Sequence, residues 1–274
     1  MNALEMPTTL IAAMSLSAAV MIVAPPVVAV WARRRLAARW THFFLGALTF
    51  FLFQLVTRVP LVALAQVGLA ERLEASVPLQ WGWLAGLSLS AGLFEETGRY
   101  VCFRWFLRRE QKSWDAAVMV GLGHGGLESM LLVGGAVIAT LLTLLLLPAE
   151  VLVTLPPEAS EELRALTEQS PWTIALGAAE RLMALVLHVA LSVTVVQVFL
   201  RGERRWLLVS ILAHGLANTL VVSTMRLAGG EGLGATLAAE GAMLLVAVAS
   251  AAWLVRTARR QRGDETSARS TAAS

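Results

Sequence analysis

Residues 81–109 read WGWLAGLSLSAGLFEETGRYVCFRWFLRR, the composition of a helix that crosses a lipid bilayer. The stretch opens with tryptophans, continues with apolar and small residues, and closes on a pair of arginines. A spanning helix needs about 20 such residues, so we predict a transmembrane helix here. Glu95, Glu96 and Arg99 interrupt it, and charges at such depth usually face a protein interior or a water-filled cavity and mark function.

The composition of the whole chain extends this prediction to the other segments. Of 274 residues, 57% are hydrophobic and only 15% are charged, and the mean hydropathy is +0.69. A soluble domain carries about a quarter charged residues, so the chain is predicted to be a polytopic membrane protein. Its pI is near 9.9, but the basic residues lie at the ends of apolar runs, a topology signal. We therefore expect no nucleic-acid partner.

Long apolar runs predict an all-α bundle of about seven transmembrane helices. The runs cover residues 8–31, 41–69, 81–107, 114–148, 172–200, 206–227 and 232–255. They form one helical domain over residues 1–262. Residues 263–274 are small and polar, and we predict a disordered cytoplasmic tail there.

Arginine clusters at alternate helix ends predict how the bundle is oriented. They begin at Arg33, Arg108, Arg201 and Arg256, whereas the other connections carry mainly glutamates. The positive-inside rule then places the N-terminus outside and the C-terminus in the cytoplasm. All nine tryptophans lie within about a turn of a predicted helix end, as expected for an interfacial belt. We predict a multi-pass protein of the bacterial plasma (inner) membrane.

Polar side chains in four of these helices lie at one depth. Counted at about 1.5 Å per residue from the cytoplasmic helix ends, they lie about 12 to 21 Å deep. The set comprises Glu95, Glu96 and Arg99; His124 and Glu128; His188; and His214 and Asn218. Residues four apart share a helix face, so three of these helices each offer two groups to a common cavity. The sequence thus predicts a polar functional cavity within the membrane.

Structural roles are the alternative at each position. Glu95 with Arg99 is compatible with a buried ion pair that holds a helix, and His188 alone with a packing residue. Glu180 and Arg181 are expected to pair near the external interface. Arg58 is expected to extend along the bilayer to the outer surface.

Four motifs resemble the YhfC family of intramembrane peptidases. They are Phe94-Glu95-Glu96-Thr97-Gly98-Arg99, His124-Gly125-Gly126-Leu127-Glu128, Glu180-Arg181 with His188, and His214 with Asn218. That family is related to the CAAX-processing (CPBP) endopeptidases, to PrsW and to the APH-1 subunit of gamma-secretase. The resemblance covers the third to the sixth predicted helix.

The resemblance to the CAAX-type enzymes implies residue roles. Glu95 would be the base that activates water and His124 its partner, with Arg99 orienting the glutamate. His214 and Asn218 would stabilise the oxyanion. The CAAX pattern usually has three residues between the second glutamate and the arginine, whereas this chain has two, so Glu96 stays a second candidate for the base. Glu128 and His188 match the YhfC-like pattern without a CAAX role.

These observations favour an intramembrane endopeptidase that hydrolyses a peptide bond with glutamate-activated water. Its expected partners are membrane lipid and a membrane protein, peptide or lipopeptide substrate. No cofactor is expected, and zinc bound by histidine and glutamate is the alternative chemistry. A non-catalytic scaffold like APH-1 and a proton-coupled transporter with a His/Glu relay stay open as other classes.

Overall fold

The computed structural model describes residues 6–148, 151 and 154–272, and these residues form an all-α bundle. Its main helices are α1 (Thr8–Arg35), α2 (Trp40–Ala75), α3 (Val77–Val101), α4 (Trp114–Leu146), α5 (Pro157–Thr167), α6 (Pro171–Leu200), α7 (Arg205–Leu227) and α8 (Gly232–Ala272).

The helices confirm a polytopic membrane protein. In the described part of the chain, six helices are long and apolar enough to cross a membrane: α1, α2, α4, α6, α7 and α8. Helix α3 has 25 residues, enough for a spanning length of about 37 Å, but carries the charges of the polar layer near its end. The total of seven spanning helices and their orientation stay predictions.

Helix α6 is the centre of the bundle. Its most apolar window is 78% buried, against 22 to 28% for the other candidate spans. Helices α1, α4, α7 and α8 all pack against it, which explains why it is apolar around its whole circumference. Any polar group on α6 is therefore enclosed by protein and not by lipid.

Glycines bring α2 and α4 into direct backbone contact. A Cβ placed on Gly123 would overlap the carbonyl oxygen of Phe43, and one on Gly46 would overlap the carbonyl oxygen of Val120. Small residues permit such close approach between membrane helices. The close approach lets a histidine one residue beyond Gly123 reach polar atoms of α2.

Two π-helical stretches border the predicted polar layer. The first, Phe50–Arg58, lies within α2, and the second, Glu128–Gly134, lies within α4. Wider π turns change the direction in which the following side chains point and are frequent at functional sites. The apolar pattern of the sequence did not predict them.

The predicted C-terminal boundary of the helical domain falls inside a helix. Helix α8 continues to Ala272, past the expected boundary at residue 262, where we predicted disorder. Once a helix is nucleated, each further residue adds a hydrogen bond, and no proline follows Pro171 to stop it. The division into domain and tail stays a prediction, and residues 273 and 274 lie outside the described residues.

Candidate active site

A partly open cavity of about 310 Å³ collects most of the polar layer. The candidate residues that line it are Glu95 from α3, Glu128 from α4, His188 from α6, and His214 and Asn218 from α7. His124 of α4 is fully buried and contacts Glu95. The structure thus brings together groups that lie up to 123 residues apart in the chain, as the depth estimate predicted.

His124 contacts Glu95, one of the residues that line the cavity. The hydroxyl of Thr49 donates to the carbonyl oxygen of Gly46 at 2.6 Å, so Thr49 Oγ1 can only accept from His124 Nδ1, 3.1 Å away. His124 Nε2 of the neutral ring then presents a lone pair to Glu95 Oε2 at 2.8 Å. Two acceptors at this distance require a proton or a metal ion to be shared between them.

Glu96 occupies a different environment from Glu95. Its carboxylate is fully buried and accepts hydrogen bonds from Arg99 Nη1, from His214 Nδ1 at 2.8 Å and from Ser210 Oγ at 2.7 Å. With three donors on its two oxygens, Glu96 is a structural acceptor at the bottom of the site. Glu95 is the glutamate of the pair that faces the cavity.

Arg99 and His188 connect Glu96 with the residues that line the cavity. Arg99 pairs with Glu96, and its Nη2 lies 3.9 Å from Glu95 Oε2 and 2.6 Å from His188 Nδ1. Because arginine only donates, Nδ1 of His188 is the acceptor and its Nε2 carries the proton. That Nε2 lies 2.6 Å from Glu128 Oε2. His188 is therefore part of the site and not the isolated packing residue considered for it.

His214 presents a free ring nitrogen to the same region. Its Nδ1 donates to Glu96, so the lone pair of Nε2 points away, 4.0 Å from Glu95 Oε2. A carboxylate that fixes the ring through the other nitrogen is the usual support of a histidine that binds a metal or a substrate. Asn218, one turn further along α7, lines the cavity beside it.

Two residues predicted to lie at the outer surface instead join the cavity. Arg58 turns inward, and donates to Ser90 Oγ at 3.1 Å and to the carbonyl oxygen of Leu87. Arg181 pairs with Glu180 as expected, but it also donates to Glu128 at 3.1 Å. Both arginines line the cavity, because inward-facing acceptors are available to them that lipid does not offer.

The donor set of the site fits a metal ion. Ligand atoms of Glu95, His124 and His188 lie within 4.8 Å of one another. Glutamate oxygen and imidazole nitrogen are the common ligands of catalytic zinc, and the Thr49 contact orients His124 as such ligands are usually oriented. His188 Nε2 lies 2.6 Å from Glu128 Oε2, so binding of an ion through this nitrogen would replace the contact with Glu128.

Comparison with known proteins gives a family for the chain. The sequence model of the YhfC intramembrane metalloprotease family matches residues 18–259. The chain belongs to this family. It is also 32% identical over 257 residues to the uncharacterized membrane protein YhfC of Bacillus subtilis (strain 168), with 90% of this chain and 95% of that protein covered. No solved structure matches the chain.

Membership of the YhfC family confirms the resemblance seen in the sequence and supports an intramembrane protease as the class of activity. The YhfC family is described as intramembrane metalloproteases, which agrees with a hydrolase of membrane-associated protein. The expectation that no cofactor is needed is not confirmed, since that description and the Glu/His cluster both fit zinc. The residue roles carried over from CAAX-type enzymes stay predictions.

Proposed function

We propose that this chain is an endopeptidase of the bacterial inner membrane in which Glu95 and His124 act on the attacking water. The observation that carries the proposal is the 2.8 Å contact between the buried His124 Nε2 and Glu95 Oε2 beside the cavity. Thr49 fixes the imidazole from behind, so both reactive atoms are directed at one point. Peptide hydrolysis needs such a confined, activated water.

The remaining polar groups supply the other requirements of amide hydrolysis. His214, held by Glu96, and Asn218 are placed to donate to the developing oxyanion, a type of contact worth roughly 10² to 10³ in rate. In that role His214 Nε2 must carry a proton, so the ring would be an imidazolium held by Glu96 through Nδ1. Glu128 is ion-paired with Arg181 and holds the orientation of His188.

Glu95, His124 and His188 would hold the zinc that the family description implies, with His188 exchanging its Glu128 contact for the ion. Bound there, zinc would polarise the water and the scissile carbonyl. The alternatives of a scaffold or a transporter are not favoured by the family description.

The reaction bears on the conformation of the substrate. In an α-helix each carbonyl group accepts a hydrogen bond from the N–H group four residues further on, which shields the carbonyl from attack. We therefore propose that the scissile segment binds unwound at the cavity, which Arg58 and Arg181 help to line. Side chains of Arg58 and Arg181 then lie beside the exposed backbone as hydrogen-bond donors.

The test is a comparison of membrane-protein N-termini in cells that express the wild type, Glu95→Gln or Glu71→Gln. Glu71 is exposed on α2 and serves as the matched control. The wild type and the Glu71→Gln control should generate the same new N-termini. Glu95→Gln should lower the abundance of those N-termini by a factor of roughly 10² to 10⁴. Purified wild type should contain zinc and His124→Ala should lack it. Identical N-termini in all strains would contradict the proposed hydrolysis, and cleavage by zinc-free protein would contradict the metal alone.

A further inference from the structure

An apolar groove of about 400 Å³ runs between α6, α7 and α8, and it shares Leu187 with the wall of the candidate active-site cavity. Leu191, Val209 and Val246 are among its walls. Trp206 and Trp253 stack on one another at its edge with ring centroids 5.6 Å apart. Both indole N–H groups are buried without an acceptor in the described residues. Such donors are costly to leave unpaired, so a turn of either indole toward an acceptor on a ligand in the groove would be favoured.

A basic cavity of about 870 Å³ follows the groove along the same helices. Lys112, Arg201, Arg205 and Arg260 line it, with Glu203 as the acidic residue among them. These side chains give an excess of three positive charges.

The groove and the basic cavity are adjacent. Trp253 and Arg260 are seven residues apart on one face of α8, which places the charge two turns beyond the indole. The Arg201 guanidinium lies 4.5 Å from the centroid of the Trp206 ring and joins the two spaces. The pKa of Arg201 lies below its ordinary value because of burial and the nearby positive charge of Arg260, while Glu203 acts in the opposite direction.

We propose that the groove and the basic cavity together bind one anionic phospholipid. An acyl chain would fill the groove, the ester carbonyls would accept from Trp206 and Trp253, and the phosphate would lie among the arginines. Charge complementarity favours this occupant. Along the helices the apolar groove is followed by the indole N–H donors and then by the cations. A phospholipid carries its acyl chain, its ester groups and its phosphate in the same order. A zwitterionic lipid would leave the excess positive charge unbalanced, and a free anion would leave the groove empty.

Native mass spectrometry of the detergent-solubilised full chain tests this with phosphatidylglycerol and phosphatidylcholine of matched acyl chains. We expect the wild type to retain phosphatidylglycerol preferentially. The double variant Arg201→Gln/Arg260→Gln should bind it about 25-fold more weakly, since each basic side chain near an anionic lipid contributes about fivefold. The matched control is Arg33→Gln/Arg34→Gln, exposed at the end of α1. It should bind as the wild type does.

A second variant tests the groove even if the double variant does not fold. Ala249 lines the groove, and Ala249→Phe fills it without changing charge. We expect this variant to lose retention of phosphatidylglycerol. Equal binding of the two lipids by the wild type, an equal loss in the control, or unchanged binding by Ala249→Phe would each overturn the proposal. Displacement of the lipid by millimolar inorganic phosphate would also overturn it, in favour of a free-anion site.

Discussion

Glu96→Gln is predicted to destabilise the fold, whereas Glu95→Gln is predicted to impair the reaction. Glu96 and its partner Arg99 are both fully buried, and three donors converge on the two carboxylate oxygens. Glutamine keeps the volume but offers one acceptor oxygen and turns an amide N–H₂ toward the donors. At least one donor then loses its acceptor, and the guanidinium loses its closest counter-charge.

The expected cost follows from this burial. Removing one partner of a fully buried ion pair costs about 3 to 5 kcal/mol, and the preserved shape of glutamine places Glu96→Gln near about 3 kcal/mol. Glu95 faces the cavity and makes one hydrogen bond, to His124. Its replacement should lower the free energy of unfolding by about 1 kcal/mol, the usual worth of a single hydrogen bond.

The only cysteine of the chain supplies the assay. Cys102 is fully buried, so a thiol-reactive dye reports unfolding without an added label. On heating in detergent, Cys102 of Glu96→Gln should react with the dye at a clearly lower temperature than Cys102 of the wild type. Glu95→Gln should react close to the temperature of the wild type. The assignment of Glu96 as the structural carboxylate is refuted if Glu96→Gln melts with the wild type while Glu95→Gln is the unstable variant.

Three further predictions follow from the contacts around the site and from the charge pattern. Thr49→Val removes the hydroxyl that orients the site imidazole, so turnover or zinc content should fall by about 10- to 100-fold, measured by N-terminal proteomics and elemental analysis. Gly123→Ala should lower the free energy of unfolding by about 1 to 3 kcal/mol or more, because the added methyl group overlaps α2, and Gly82→Ala, with open space around it, should not. The Cys102 assay measures both. A reporter fused at the C-terminus should be cytoplasmic and one near Glu161 external, and the reverse result at both would contradict the orientation.

Much of the fold could be predicted because a bilayer constrains membrane helices so strongly. Every backbone polar group must be paired inside the segment, so a long apolar run has to be helical. The predicted runs 172–200 and 206–227 coincide closely with α6 and α7. The division into a helical domain and a disordered tail stays a prediction, although α8 continues to Ala272.

The site was predictable where it follows helix periodicity and depth. His124 with Glu128, and His214 with Asn218, are four residues apart and therefore share a face. Thr49 and Ser210 were not predicted, since a lone hydroxyl in a membrane helix has no distinctive pattern. Their importance lies in partners 75 and 114 residues away in the chain, which only packing brings close.

By itself, the sequence determined the class of protein and the helical segments, because both depend on local composition and on the thickness of the bilayer. The tertiary structure decided which way each group faces. Arg58 turns inward beside a π-helical stretch, and Glu95 faces the cavity while Glu96, the next residue, faces buried donors. The rotation of a helix about its axis is set by contacts such as that of Gly123 with α2, and those contacts involve residues distant in the chain.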